Sequence, residues 1–558
     1  MRLTSPFAEY KDSVKAFIQC GKAPNRHLHQ LNLENTNPKP LKMKKNLTKT
    51  ILTTALSLAA GVTMAQTNLG ADCGCPAVSA RTTVLMSTLA DNSGGSTDGD
   101  LTAANTTLTC DKIYVLDKKI FVPDGKSITI QPGTLIKGDT SATTNNATAL
   151  VVSRGGKIFA AGTSSCPIVF TSVLDPMDGS YGVSNTQKWG GVVLLGRGVN
   201  NIASGQSLYI SPGVAKIEGF SSADPRSYHG EAPGVANNDD NSGIMTYVSI
   251  RHSGATVAPN NELNGLTMGS VGRGTTLSHI EIVACSDDGF EFFGGAVNLK
   301  HGVVLFNEDD GFDWDENWVG KGQFWFLVKN PGASDNGFEC DGDDGTQSTG
   351  PWSHPIIYNA TCIGDDTDAG IEAKERTEGE IYNSIFANYA QGFNAYNVRA
   401  TDAYQNWNAG ALKVNNCTFI SNVAGFTIQT AGSVITPASG ADLTKFQTDG
   451  NVVDTSLTGF DFTYAMNAST NAVTDQYDAV PNPTVASSIT APQDGFFTPV
   501  NYRGAFGGNQ NWMNSWTYAA FIDSANGLVP CPTDLNGDGI TKVEDFLILL
   551  GQFNASCD

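Results

Sequence analysis

Positive charge is what this chain has least of. Lys and Arg together number 34 against 55 Asp and Glu, with 7 His, for a net charge of −21. That deficit argues against nucleic acid and anionic membranes as partners and fits a protein that handles cations. Charged residues of every kind make up only 16%, while glycine reaches 60. This is the balance of a loop-rich β protein rather than a helical one. Long apolar runs are also missing. The best candidate, Ile51 to Val62, is too short to cross a bilayer comfortably, which takes ~20 residues. The cysteines form no zinc cluster, since Cys73-Gly74-Cys75 is too tight and has no partner pair nearby. A nucleophile elbow, a phosphate loop and a metalloprotease helix are all absent.

The apolar run has a different explanation. Lys44, Lys45 and Lys49 precede it, and Thr63-Met64-Ala65 follow it before Gln66, the layout of a signal peptide. Met43 opens this unit, so residues 1–42 read as an upstream non-native extension and 43–65 as the signal peptide. No cysteine follows the cut directly, which speaks against a lipid anchor, and no membrane span is expected after cleavage. Losing residues 1–65 removes 10 basic and 3 acidic side chains and takes the net charge to −28. Of the 11 cysteines, ten remain, an even number in an exported chain, so disulfides are expected. Cys531 and Cys557 bracket one C-terminal unit and are paired in this reading. Cys73 and Cys75, with Cys110, tie down the N-terminal segment. Cys340 and Cys362 fall at inward strand positions and read as buried free thiols.

One short phrase keeps returning. It is Asp287-Asp288-Gly289-Phe290-Glu291, then Asp309-Asp310-Gly311-Phe312-Asp313, then Asp335-Asn336-Gly337-Phe338-Glu339. It softens to Asp368-Ala369-Gly370-Ile371-Glu372, Gly392-Phe393-Asn394 and Gly425-Phe426-Thr427. The glycines are 22, 26, 33, 22 and 33 residues apart, so the local pattern is constant while the loops vary, the signature of a solenoid. Side chains alternate within it. Phe290, Phe312, Phe338, Ile371, Phe393 and Phe426 form one inward row; Phe292, Trp314, Cys340, Ala373, Ala395 and Ile428 form the next. Glu291, Asp313, Glu339, Glu372, Asn394 and Thr427 point outward, followed by Phe293, Asp315, Asp341, Lys374, Tyr396 and Gln429.

A second strand precedes the phrase, as in 277–282, 299–304, 357–362, 381–386 and 414–419. His279, His301, Asn359, Asn383 and Asn416 share one column of it. Metal or acid–base chemistry is one reading of the two histidines. A turn column in which such side chains bond the backbone is the favoured one. Shorter strands at 119–133, 150–160, 167–170 and 189–195 continue the style upstream. An all-β, right-handed parallel β-helix accounts for these features, because stacked coils close a core that no coil closes alone. A β-sandwich is the rival, but it does not require one phrase to recur in register six times. The expected division is 66–110 as N-terminal segment and cap, 111–434 as β-helix, 435–530 as C-terminal cap and linker, and 531–558 as a small calcium module.

The chain resembles a large group of secreted bacterial β-helix proteins, mostly uncharacterised. The resemblance rests on Ser127-Ile128-Thr129-Ile130-Gln131-Pro132-Gly133-Thr134, Trp189-Gly190-Gly191, Asn261 to Thr267, the 287–315 stretch, and a closing segment from Asp494 to Trp516. It covers roughly residues 110–520 and implies the fold and export, to the exterior or surface of a bacterium, but no activity. The architecture is similar, as a fold analogy alone, to that of pectate lyases.

In 534–545 the chain carries an EF-hand-type loop. Asp534, Asn536 and Asp538 supply oxygens at positions one, three and five, Gly539 the bend, Ile540 its carbonyl, and Asp545 the twelfth position. The loop resembles half of a type I dockerin, although a second loop is not visible and Lys542 stands at position nine. A cohesin-like or cell-surface protein partner and a disulfide-closed calcium cap are both open.

Stacking at about 4.8 Å brings like charges together. Asp287, Asp309, Asp335 and Asp368 form one column; Glu291, Asp313, Glu339 and Glu372 another; Asp315 and Asp341 a third. Ca2+ held by Asp287, Glu291, Asp309, Asp315 and Asp341 is expected to offset the repulsion. Three functions follow. The first is a calcium-binding β-helix that binds or is displayed on extracellular polysaccharide. The second is a polysaccharide lyase, with Lys374 or Arg376 as base, or a glycoside hydrolase using Asp313, Glu339 and Glu372. The third is an adhesin or structural coat protein. Trp318, Trp352, Tyr396 and Trp407 are candidates for stacking on sugars.

Overall fold

The computed structural model describes residue 69 and residues 73–518, except 92–97, 141–146, 219, 256–261, 331, 344–349, 421–423, 456–483 and 508–510. The expected signal peptide, the expected Cys531–Cys557 pair and the expected calcium loop at 534–545 lie outside the described residues. Among those described, 27 strands form one continuous sheet. Every pairing within it is parallel except that of Ala424–Thr430 with Val434–Pro437. This is a parallel β-helix, and the parallel pairing excludes the sandwich.

Each central coil supplies three short strand segments. Thr276–Val283 contains two, separated by a residue with positive φ at His279, and Phe290–Phe293 is the third. The next coils repeat this with Asn298–Leu305 and Phe312–Asp315, then Lys321–Val328 and Phe338–Cys340. The expected rows are in register. Phe290 pairs with Phe312, Phe312 with Phe338, Phe338 with Ile371, Ile371 with Phe393 and Phe393 with Phe426. Period two puts these side chains inside, where like stacks on like: the Phe290 and Phe312 rings are 5.4 Å apart and 3° from parallel. Phe312 also stacks on Trp325 at 4.3 Å. Trp325 belongs to a coil whose leading strand has Phe324 rather than His or Asn in the shared column.

The glycine of the phrase is required by close approach. A Cβ on Gly289 would sit 2.6 Å from the carbonyl oxygen of Gly311, and one on Gly311 would sit 2.9 Å from that of Gly337 and 2.6 Å from a Leu327 methyl. The glycines therefore stack on each other's backbone in a column. The bend column behaves differently. Tyr247, His279, His301, Phe324, Asn359, Asn383 and Asn416 all have positive φ. Its rings stack, with His279 and His301 at 4.1 Å between Tyr247 and Phe324. Its asparagines reach across to the covering segment, Asn359 donating to the Tyr502 carbonyl and Asn383 to that of Ile489, each at 2.8 Å. The two histidines are thus conformational and packing residues, and burial pushes the His279 ring down to about 4.

The stack starts earlier than residue 111, since Thr82–Leu85 already pairs with Lys112–Leu116 and Asn105–Leu108 with Ser127–Ile130. It also runs past 434, where Val452–Asp454 pairs with Thr418–Ile420. Cys75 bonds Cys110, but Cys73 bonds Cys166. Cys340 and Cys362 are buried and free as expected, with Cys285 and Cys417. Between Gly191–Leu195 and Gly243–Arg251 a small antiparallel sheet, Tyr209–Ser211, Val214–Lys216 and Tyr228–Gly230, stands outside the stack. Gly311→Ala is expected to lower stability by ~1–3 kcal/mol, the cost of overpacking. A urea or thermal unfolding midpoint equal to that of the parent chain would show that the glycine column is not a packing requirement.

Candidate functional site

The loop joining the second strand segment to the third carries the paired acids. Their second member holds the stack together. An Asp288 carboxylate oxygen accepts the Asp310 amide at 3.0 Å, Asp310 accepts the Asn336 amide, and the Asn336 side chain accepts the Ala369 amide at 3.1 Å. Asp288 and Asp310 are buried by this role. The strand acids stand beside them. Glu291 pairs with Asp313, Asp313 with Glu339 and Glu339 with Glu372, and the row continues to Asn394 and Thr427.

These groups face a cleft of about 550 Å³. Among the described residues ten carboxylates line it, from Glu218, Glu262, Asp287, Asp288, Glu291, Asp309, Asp310, Asp313, Asp335 and Glu339, with Gln187, Asn264 and Ser286 and without a Lys or Arg. The strand row points away from the core, yet it is not a solvent face: Glu291 is 8% exposed and Asp313 7%. Asn264 donates to Glu291. One oxygen of Asp313 is buried without a hydrogen-bond partner. Glu218 comes from beyond the Val214–Lys216 strand of the outlying sheet, and Glu262 from the segment before Leu266–Gly269. Neither belongs to the repeated phrase, and a single acid in a non-repeating segment carries no sequence signal. Asp288 and Asp310 had one, because they hold the same place in the first two copies of the phrase, where the third has Asn336, but aspartate before glycine also reads as an ordinary turn former.

The other expected residues lie off the cleft lining. Lys374 contacts Glu339 and reaches Asp341 at 3.6 Å. Burial works against its charge, but Asp341 and Glu339 outweigh that and hold the proton more firmly than in water. Arg376 grips both oxygens of Asp343 at 2.7 and 2.8 Å. Glu372 accepts from the Tyr396 hydroxyl at 3.1 Å. Asp315 accepts the neighbouring Glu316 amide. Asp368 pairs with Lys329 at 3.1 Å. Trp318 and Trp407 are wholly buried core residues and cannot stack on a sugar, whereas Trp352 and Tyr396 are half-buried.

Burial first, then like-charged neighbours, raises Asp287, Asp288, Glu291, Asp310 and Asp313 well above the usual carboxylate range. By the same causes Asp309 is pushed up to about 6 and Glu218 to about 7. Such groups fit a hard cation with oxygen ligands. Two sets have one oxygen per residue within 4.8 Å of the others: Asp287, Asp288 and Asp309, and Asp288, Glu291 and Asp313.

The pH dependence has a definite sign. A carboxylate whose pKa rises on folding binds more protons folded than unfolded, so stability falls as pH climbs from the unfolded value near 4 through the raised one. In chelator the chain is expected to melt several degrees higher at pH 5 than at pH 8, with millimolar calcium closing the gap. A chelated melting temperature that is flat or rises over this range would rule out the coupling.

No curated protein and no solved structure matches the chain. The model of a pectate-lyase like beta helix domain matches residues 99–495, a span that contains most of the coil stack and the whole acidic cleft. The chain belongs to the pectate-lyase-like beta-helix family.

Proposed function

We propose that this is a secreted, calcium-binding β-helix protein whose acidic cleft holds calcium and, through it, an extracellular polysaccharide. One observation carries the reading: ten carboxylates line one cleft without a basic side chain, and a buried Asp313 oxygen there lacks a partner. Buried like charges at this spacing are costly unless a cation compensates them. A bound divalent ion leaves positive charge for the carboxylates or hydroxyls of a uronate-rich glycan, which the bare cleft repels. Export is supported by the Cys73–Cys166 and Cys75–Cys110 disulfides, which persist in oxidising compartments. The loop bearing Asp534, Asn536, Asp538, Ile540 and Asp545 supplies a separate calcium site and an attachment point for a surface protein.

The mature chain is expected to be retained on immobilised polyuronate in calcium and released by chelator, with Glu291→Gln abolishing retention and no sugar product formed. Retention that persists in chelator would sink the calcium bridge. In a calorimetric titration, Asp534→Ala is expected to remove one calcium per chain, and an unchanged stoichiometry would refute the C-terminal site.

Glycoside hydrolysis is the second reading, favoured by one observation. Asp313 and Glu339 are paired neighbours on adjacent strands, with the first pushed toward its protonated form and Lys374 set against the second. Two carboxyls in different environments are what acid–base glycosidases use. Release of reducing ends from a neutral glycan, abolished by Glu339→Ala, would establish this reading in place of the first. A lyase has less support, because its two candidate bases, Lys374 and Arg376, are engaged with Glu339 and Asp343.

A further inference from the structure

The two carboxylate sets in the cleft share a member. Asp288 belongs both to the set with Asp287 and Asp309 and to the set with Glu291 and Asp313. Its orientation is fixed by the next coil, since one of its oxygens accepts the backbone amide of Asp310 at 3.0 Å. On the far side of it, Asp313 is 7% exposed and presents an oxygen with no hydrogen-bond partner. From this arrangement we infer that the cleft is a two-cation centre, with Asp288 as the carboxylate common to both ions.

The inference rests on the calcium reading and adds number and layout to it. Five carboxylates make up the two sets. A single divalent ion leaves three negative charges uncompensated in a buried space; a second leaves one, which the solvent-facing side of the cleft tolerates. Two ions on one carboxylate repel each other, and the remaining acids of the lining, such as Asp310 and Glu218, offset that repulsion. The donors are all oxygen, so the ions are hard: calcium, or manganese as its probe, rather than zinc. Ions sharing a carboxylate sit about 3.5–4 Å apart. Two adjacent sugar carboxylates, or one carboxylate and a ring hydroxyl, are the matching ligand.

The test uses the mature full-length chain carrying Asp534→Ala, so that the C-terminal loop does not contribute. Calorimetry with calcium is expected to find two ions. Asp287→Asn is expected to remove one and Glu291→Gln the other. Asp288→Asn keeps an oxygen for the Asp310 amide and is expected to weaken both by at least about tenfold, because it lowers the charge of both sites. Circular dichroism confirms that each variant is folded. Manganese bound to the cleft without any further substitution gives an independent reading, since two ions on a common carboxylate show an exchange-coupled electron paramagnetic resonance spectrum. One ion lost equally in all three variants overturns the two-cation centre and leaves the calcium reading standing. Two ions with an uncoupled manganese spectrum, or with Asp288→Asn removing only one, overturn the shared carboxylate. No ion at all in the cleft overturns the calcium reading itself.

Discussion

Parallel stacking of one phrase on itself, coil on coil at about 4.8 Å, is the constraint from which the remaining features follow. It places like on like in every column. For apolar columns this is favourable, because Phe290, Phe312 and Phe338 fill the interior with flat or edge-on rings and exclude water. For the glycine column it is a steric condition: any side chain there meets the carbonyl of the next coil. For carboxylate columns it is unfavourable, and the chain must offset it. The same register that closes the core therefore creates the charged cleft.

The chain shows two ways of handling stacked acids. At Glu339 and Asp341 a lysine from the next coil, Lys374, sits between them, and at Asp365 and Asp368 Lys329 does the same. Further along, Asn394, Thr427 and Gln429 replace acids by a neutral hydrogen-bonded row. At Asp313 the charge of Lys374 offsets burial and the like-charged neighbours only in part, and the partner of Glu291 is the neutral Asn264. There the acids are also covered, with Glu218 and Glu262 adding charge from a second direction. A cleft meant only to be buried has lysine and asparagine available three coils away. Their scarcity at this level is what the proposed cation site would exploit.

Much of the fold was legible because a parallel stack converts local alternation directly into long-range contact: knowing which residue follows each glycine gives the pairing of every coil with the next. The strand acids Glu291, Asp313 and Glu339 and the column Asp287, Asp309 and Asp335 were found for that reason, and all six line the cleft. What was missed lacks that translation. Asp288 and Asp310 recur in the phrase, but their function is a hydrogen bond to the next coil's amide, which alternation does not encode. Glu218 and Glu262 lie in segments that do not repeat. Trp318 and Trp407 were candidates for stacking on sugars, whereas their large apolar rings go to the core. Cys73 is only two residues from Cys75, yet its partner is Cys166, a choice set by the three-dimensional neighbourhood of the first coils.

Whether the ladder handles ions or cuts bonds turns on its gradient. Along one row the character passes from Thr267, through the buried acids Glu291 and Asp313, to Glu339 beside Lys374, then Glu372 beside a tyrosine hydroxyl, and ends in Asn394 and Thr427. Hydrolysis needs two acids in different surroundings, and the Asp313–Glu339 step has that asymmetry, the first raised by burial and the second in contact with Lys374. Cation binding needs several acids whose oxygens lie close together, and the coils of Glu291 and Asp313 bring them so. The two requirements meet at Asp313 but otherwise use different coils. A glycan bridged by ions at the first would run along the row toward the amides and hydroxyls of the last, so the polar end of the ladder is where its neutral groups would be read.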